Sequence, residues 1–423
     1  MSGNASPVVV LGAGIVGVCA ASWLQREGYD VVVIDRQEPG EATSFGNAGC
    51  INGSSIVPVA MPGVLKNVPR WLLNPDGPLV VRWQYLPRLM PWLLRFIASS
   101  DPAKVDAQAR ALRALMESSL ADYAPLVRDA RAERFVHERG HLIAYTTDAG
   151  HASDDKAMRL RAQNGVVIDE ITKAQLHDME PDLAPGFIRA RRIGETGHVS
   201  DPGQFTKQLA HAAVSRGARF VKADIRGVQT DGTRVTGVIT NAGVQPASAV
   251  IVALGAWSVS IVRELGDRVL LDTERGYHIE VPGAQARPRV PTLWYEGKMF
   301  ATPMDGRVRC AGTVELAGLN APPDWSRTRL LERQLKQMYP AIADDIARAG
   351  EGALPRWLGF RPSTPDSLPV IGPSARFSNA IYAFGHGHVG LTAAASTGRV
   401  VARILAGQSS GIDLEPFSIG RFR

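Results

Sequence analysis

Three glycines set between two kinds of apolar pattern constrain this chain more than anything else in it. Gly12, Gly14 and Gly17 of GAGIVG follow VVVL at 8–11 and open a stretch of helical character that runs to about Glu27. An unbroken apolar strand is expected where helices cover both faces of a parallel sheet. Gly28 then suits the helix cap, and VVVID at 31–35 reads as the second strand of a βαβ unit. In that setting Gly12 permits the tight turn, Gly14 lets the backbone approach a pyrophosphate, and Gly17 lets helix and strand pack closely. The phosphates meet the positive end of the helix dipole. Asp35, closing the second strand, offers a carboxylate to adenosine ribose hydroxyls. The reading is an adenine dinucleotide held by Gly12, Gly14, Ile15, Val16, Gly17, Asp35 and Arg36. These residues alone do not separate a flavin from a nicotinamide dinucleotide.

The rest of the chain narrows the class. At 423 residues it exceeds one ordinary core and suits two interleaved domains. Its 45% hydrophobic and 21% charged residues are those of a globular protein. The net charge of +6 is scattered rather than run together, which argues against nucleic acid. Cys19, Cys50 and Cys310 lie far apart without pairing or metal-ligand spacing, so no metal is expected and a reducing cytoplasm is the natural compartment. The apolar run from Val8 to Leu24 lacks a basic lead and a cleavage site, and its glycines fit a strand, turn and helix better than a signal peptide.

Between about Pro58 and Ser100 the prolines 58, 62, 69, 75, 78, 87 and 91 argue against regular sheet, and Trp71, Trp83 and Trp92 load the segment with aromatics. Within it Leu86, Leu89, Met90, Leu93, Leu94 and Ile97 recur at helical spacing. Packing against the substrate domain is the favoured reading of that stripe; an amphipathic helix on a membrane or partner is the alternative. One long helix is expected over 103–130 and another over 151–164, around a strand at HLIAYT, 141–146. Residues 203–218 read as a helix ended by Gly217, followed by a hairpin turned at Asp231-Gly232. ASAVIVALGAW at 247–257 reads as a buried strand entering a glycine turn. The expected fold class is α/β, a Rossmann-like dinucleotide domain interleaved with an α+β substrate domain. The boundaries are 1–57, 195–268 and 351–423 for the first, 58–194 and 269–350 for the second.

Two further segments bear on the cofactor. Thr43, Ser44, Asn47, Ala48 and Gly49 form a small polar loop able to line a long ligand with backbone donors and hydroxyls. Far away, Gly385, His386, Gly387, His388, Val389, Gly390, Leu391 and Thr392 lead into a helix running to about Leu405. A helix N-terminus aimed at a flavin ring would stabilise its anionic reduced form.

Taken together, VVVLGAGIVG with ATSFGNAG, VIVALGAWS, and GFRPSTPDSLPVIGP with FGHGHVGLT resemble the D-amino-acid oxidase and glycine oxidase superfamily, most closely its bacterial D-amino-acid dehydrogenase branch. The resemblance spans nearly the whole chain. It implies extended FAD, with Ile225, Ala253, Gly255 and Trp257 joining the cofactor set. It also implies oxidation of an amino acid at its α-carbon, hydride passing to flavin N5 and the imino acid then being hydrolysed. Arg361 matches the arginine that grips the substrate carboxylate, a role suited to a planar bidentate donor. Glycine oxidases carry an arginine where this chain has His388, so a second carboxylate contact is missing or replaced. Tyr277 and His278 fall on a strand that the resemblance places near the substrate, where they either bind its carboxylate, shape the pocket or pack in the core. Cys50 adjoins the flavin position, but a small buried thiol is the commoner role, and non-covalent FAD is expected. The substrate, a D-proline or D-hydroxyproline type among the options, stays open. So do the electron acceptor, oxygen or a quinone, and attachment to the inner face of the cytoplasmic membrane. Rival readings are a sarcosine-type N-substituted amine oxidase and the flavin subunit of a heteromeric dehydrogenase; homo-oligomerisation is also open.

Overall fold

The unbroken apolar runs VVVL, VVVID and AVIV decide how the dinucleotide half is built. In the computed structural model, which describes residues 6–63, 77, 79–350 and 352–423, these runs are the strands Val8–Leu11, Val31–Asp35 and Ala249–Val252. They pair in parallel register, Val10 facing both Val33 and Ile251. The full sheet has six strands, with Arg219–Lys222 at one edge and Ala380–Phe384 then Val370–Pro373 at the other. Val8, Val10, Val31, Val33, Ala249 and Ile251 are buried on one face, with helices Ile15–Arg26 and Gly390–Leu405 packed there and against each other.

The other face departs from the expectation of helices on both sides. Val9, Leu11, Val32, Ile34, Val250 and Val252 share their core with Val228, Val235 and Val238. Those last three belong to a three-stranded antiparallel sheet, Ile225–Thr230, Val235–Thr240 and Gly243–Pro246. A sheet with one apolar face buries these strands as completely as a helix does.

The second layer is a mixed nine-stranded sheet. Its long members Asp272–Pro282 and Arg307–Leu316 lie antiparallel, and Arg356–Ser363 pairs with the first of them. That last strand was expected in the dinucleotide part; its hydrogen bonds place it in the large sheet. Leu79–Val81 is also a strand there, parallel to Val314–Leu316, so sheet does survive beside the prolines. Trp71, Pro69, Pro75 and Pro78 lie outside the described residues.

The helix expected over 103–130 is two, Pro102–Met116 and Ser119–Ala130, and that over 151–164 is Asp148–Ser153 and Asp155–Gln163. The stripe at 86–97 does lie on one helix, Leu86–Ser99, but it is not all core. Leu89 and Trp92 are buried, while Met90, Leu94 and Ile97, with the nearby Trp83, are exposed. No helix among the described residues is long and apolar enough to cross a membrane.

Candidate active site

Ligands of an open parallel sheet sit beyond the carboxyl ends of its strands, and here Gly12, Arg36 and Ala253 follow three neighbouring strand ends into one cavity of about 690 Å³. The cavity continues between the two sheets to Arg361 and His388. Gly12 has φ +105°, and a Cβ there would stand 2.4 Å from the Ala253 carbonyl oxygen. At Gly17 a Cβ would stand 1.9 Å from the Gly12 carbonyl oxygen, so Gly17 works beneath the turn rather than in the cavity. Asp35 Oδ2 accepts from the Ala13 N–H at 2.7 Å, and Ser44 Oγ accepts from the Ile15 N–H at 2.9 Å. The turn is thereby shaped by hydrogen bonds from both strand end and loop.

The structure brings most of the candidates together. Gly12, Gly14, Ile15, Val16, Asp35, Arg36, Thr43, Ser44, Asn47, Ala48 and Ile225 line the cavity. Ala253, Gly255, Trp257, Tyr277, Arg361 and the run from His386 through Thr392 line it too. Gly17, Gly49, Gly385 and His278 do not.

His278 points away because side chains alternate along a strand. Its Nδ1 is 3.1 Å from the Gly46 carbonyl, its ring stacks on Trp357, and burial lowers its pKa to about 3. It therefore supports the polar loop and does not reach a substrate. Tyr277 presents its ring to the cavity, but its hydroxyl donates to Glu315 Oε2 at 2.6 Å and accepts from the Asp324 N–H at 2.8 Å. That hydroxyl is committed to Glu315 and Asp324, which leaves shaping the pocket or packing in the core for Tyr277.

Arg309 was not foreseen. It is fully buried, pairs with Glu280 at 2.6 Å and donates to the carbonyls of Phe45 and Asn47, tying the polar loop to the large sheet.

Arg361 is positioned by what its neighbours lack. It stands over Gly276 on the adjacent strand, where a Cβ would come within 2.3 Å of Nη2. Nη1 donates to the Thr313 carbonyl at 3.2 Å. Glu274 pairs with Arg361 in the strand register and also lines the cavity; burial raises its pKa, against the opposing pull of Arg361. His388 opens into the cavity with Nε2 3.2 Å from Ser55 Oγ. Surrounding protein, then the charges of Arg361 and Arg161, push its pKa down to about 4, so it is neutral near pH 7. Cys50 reaches the cavity with a thiol that burial pushes up to about 12, far from the reactive thiolate. Asp224, Arg226, Glu274, Arg161 and Lys298, with the neutral His141, also line the cavity and carried no motif by which to find them.

The site fits a long dinucleotide. Acidic and basic groups at Asp35 and Arg36 mark one end, and the glycine turn with the first helix marks the middle. The far end is a second helix N-terminus, Gly390–Thr392, beside a guanidinium. Among the described residues no cluster of three or more His, Cys, Asp or Glu could hold a metal. This combination defines a dinucleotide-dependent oxidoreductase with an anion-binding group at the reacting end. The chain belongs to the FAD dependent oxidoreductase family, matching it over residues 7–404. A D-amino-acid oxidase of Bradyrhizobium diazoefficiens is 38% identical over 418 residues, 98% of each chain. A D-amino acid dehydrogenase of the same organism is 33% identical, again over 98% of each. The solved glycine oxidase of Geobacillus kaustophilus shares the fold, with a TM-score of 0.74 at 20% identity over 98% of each chain.

Proposed function

We propose that this chain oxidises a D-amino acid at its α-carbon with non-covalently bound FAD. The observation that carries the reading is Arg361, a guanidinium in the cavity with no carboxylate within ion-pairing distance among the described residues. Relatives named for D-amino acids support the choice of substrate class.

When bound, FAD would supply the acceptor for the hydride, which carries both electrons of the oxidation. The protein supplies position and field. Arg361 is suited to hold the substrate carboxylate by paired N–H donors. The same positive charge disfavours an ammonium nearby, so the substrate amine is held neutral and needs no strong base. His388, neutral and weakly basic, orients through its Ser55 contact rather than removing a proton. The first turn of Gly390–Leu405 brings unpaired N–H groups to the cavity, a fixed positive partial charge for an electron-rich ring. Gly12–Val16 and Asp35 hold the dinucleotide end, and Cys50 stays a protonated thiol.

The test is an anaerobic titration of the yellow protein with D- and L-amino acids, D-proline, D-hydroxyproline and sarcosine. Bleaching of the flavin band by D-amino acids is expected; bleaching by L-enantiomers or sarcosine alone would sink the reading. Acid precipitation is expected to release all flavin into the supernatant. Exposed Trp83, Met90, Leu94 and Ile97 support peripheral contact with a membrane, and the expectation is cosedimentation with anionic lipid vesicles that is lost in Leu94→Glu.

A further inference from the structure

Besides Arg361 and the arginines at the dinucleotide end, Arg36 and Arg226, the cavity holds a guanidinium that the proposed chemistry at the α-carbon does not use. Arg161, on the helix Asp155–Gln163, is half-buried and lines the same cavity as Arg361. Its Nε donates to the Ser54 carbonyl at 3.1 Å, one residue from the Ser55 hydroxyl that meets His388. A single short loop thus fixes both Arg161 and His388. Arg161, Arg361 and His388 line one cavity, and the charges of both arginines act on the imidazole.

Arg161 has no carboxylate within 4 Å among the described residues, and its Nη1 meets only the Met158 sulfur at 3.9 Å. The acids near that helix are committed elsewhere. Asp155 and Glu170 pair with Arg191, and Asp154 accepts from the Tyr145 hydroxyl at 2.6 Å. Asp154 acts on Arg161 only from beyond ion-pair distance, and a half-buried cation with no carboxylate in direct contact is costly unless an anion arrives to meet it. Nearby lining is apolar, Ile143, Leu293 and Phe300, and suits the methylene part of a side chain.

Resting on the reading that this site oxidises D-amino acids, we propose that Arg161 is a specificity-determining residue that receives a second carboxylate, making acidic D-amino acids the preferred substrate class. Arg361 takes the α-carboxylate and Arg161 the side-chain carboxylate. His388, which lines the same cavity, is neutral near pH 7 and so does not repel the amine.

The experiment compares kcat/KM for D-glutamate and D-aspartate with that for D-glutamine and D-asparagine, in the flavin-loaded wild type, Arg161→Met and Arg161→Lys. The wild type is expected to favour the acid over its amide by at least about 10-fold, and Arg161→Met to bring that ratio down to about 1. Arg161→Lys is expected to retain part of it. Equal losses on acid and amide, or a wild type that prefers amides, would overturn the assignment. If instead no D-amino acid bleaches the flavin, it is the underlying reading that fails. A check independent of any variant is perturbation of the wild-type flavin spectrum by glutarate and by butyrate. Glutarate is expected to bind at least about 10-fold more tightly, and equal affinities would count against Arg161.

Discussion

The two ends of the cavity are made by different means. At the dinucleotide end the cavity is lined by a glycine turn, Gly12 with Gly14, Ile15 and Val16, fixed by Asp35 and Ser44. At the reacting end it is side chains brought from strands and helices hundreds of positions apart: Arg161, Glu274, Arg361 and His388. A backbone cradle tolerates almost no added atom, whereas a side-chain constellation degrades by degrees. The dinucleotide end is therefore expected to fail as binding, and the reacting end as rate and selectivity.

The sharpest break in that comparison is Gly17→Val. With no room for a Cβ against the Gly12 carbonyl, the turn must open, and the protein is expected to retain less than about a tenth of its flavin, read from its visible absorbance after gel filtration. A variant that keeps full flavin would show that the cradle is softer than its geometry implies.

Arg361→Met tests the other end. Flavin content is expected to hold while kcat/KM falls about 1000-fold, the loss of two charge-assisted hydrogen bonds, with Arg361→Lys recovering part through a single donor. Loss of flavin with activity in proportion would instead make Arg361 a cofactor residue.

What was legible in the sequence follows the same division. Gly12–Gly17 and Asp35 could be read because local spacing determines the strand-turn-helix and its ligand. Unbroken apolar runs revealed the central strands Val8–Leu11, Val31–Asp35 and Ala249–Val252 for the same reason, though neither the strands Val370–Pro373 and Ala380–Phe384 beside them nor that a second sheet within residues 225–246 would cover one face. Arg361 was found only through family resemblance. Arg161 and Glu274 had no signal at all. One is an ordinary charged residue on an amphipathic helix and the other lies within a strand, and only the pairing of Asp272–Pro282 with Arg356–Ser363 puts Glu274 beside Arg361. His278 was placed near the substrate by its strand, and the one-residue alternation turned it to the far side.

Both halves also keep neutral imidazoles in their interiors, which makes acid a common probe. Burial lowers His141, His278 and His386 to about 3 and His198 to about 4. The unfolded chain, with pKa near 6.5, then binds more protons than the native one, so stability is complete above about pH 6.5 and falls as pH drops towards those values. The melting temperature is expected to fall by on the order of 10 °C between pH 7 and pH 4.5. Because His278 and His386 flank the loop and helix beside the flavin position, flavin release is expected to accompany that fall. A flat melting temperature over this interval would contradict the burial of these rings.

The smallest effect concerns Glu274, which opposes Arg361 at the reacting end. When ionised, it offsets the guanidinium that a substrate carboxylate must engage. Burial raises its pKa, so acidification neutralises it at a higher pH than an ordinary glutamate. Glu274→Gln removes the competing charge while keeping the side chain's volume. Acetate binding, followed through the flavin spectrum, is expected to tighten about three-fold to ten-fold, with a shallower pH dependence than in the wild type. Unchanged affinity would mean that Glu274 is already protonated beside Arg361. The reacting end would then carry the full charge of both arginines at neutral pH, which would strengthen the case for a substrate with two carboxylates.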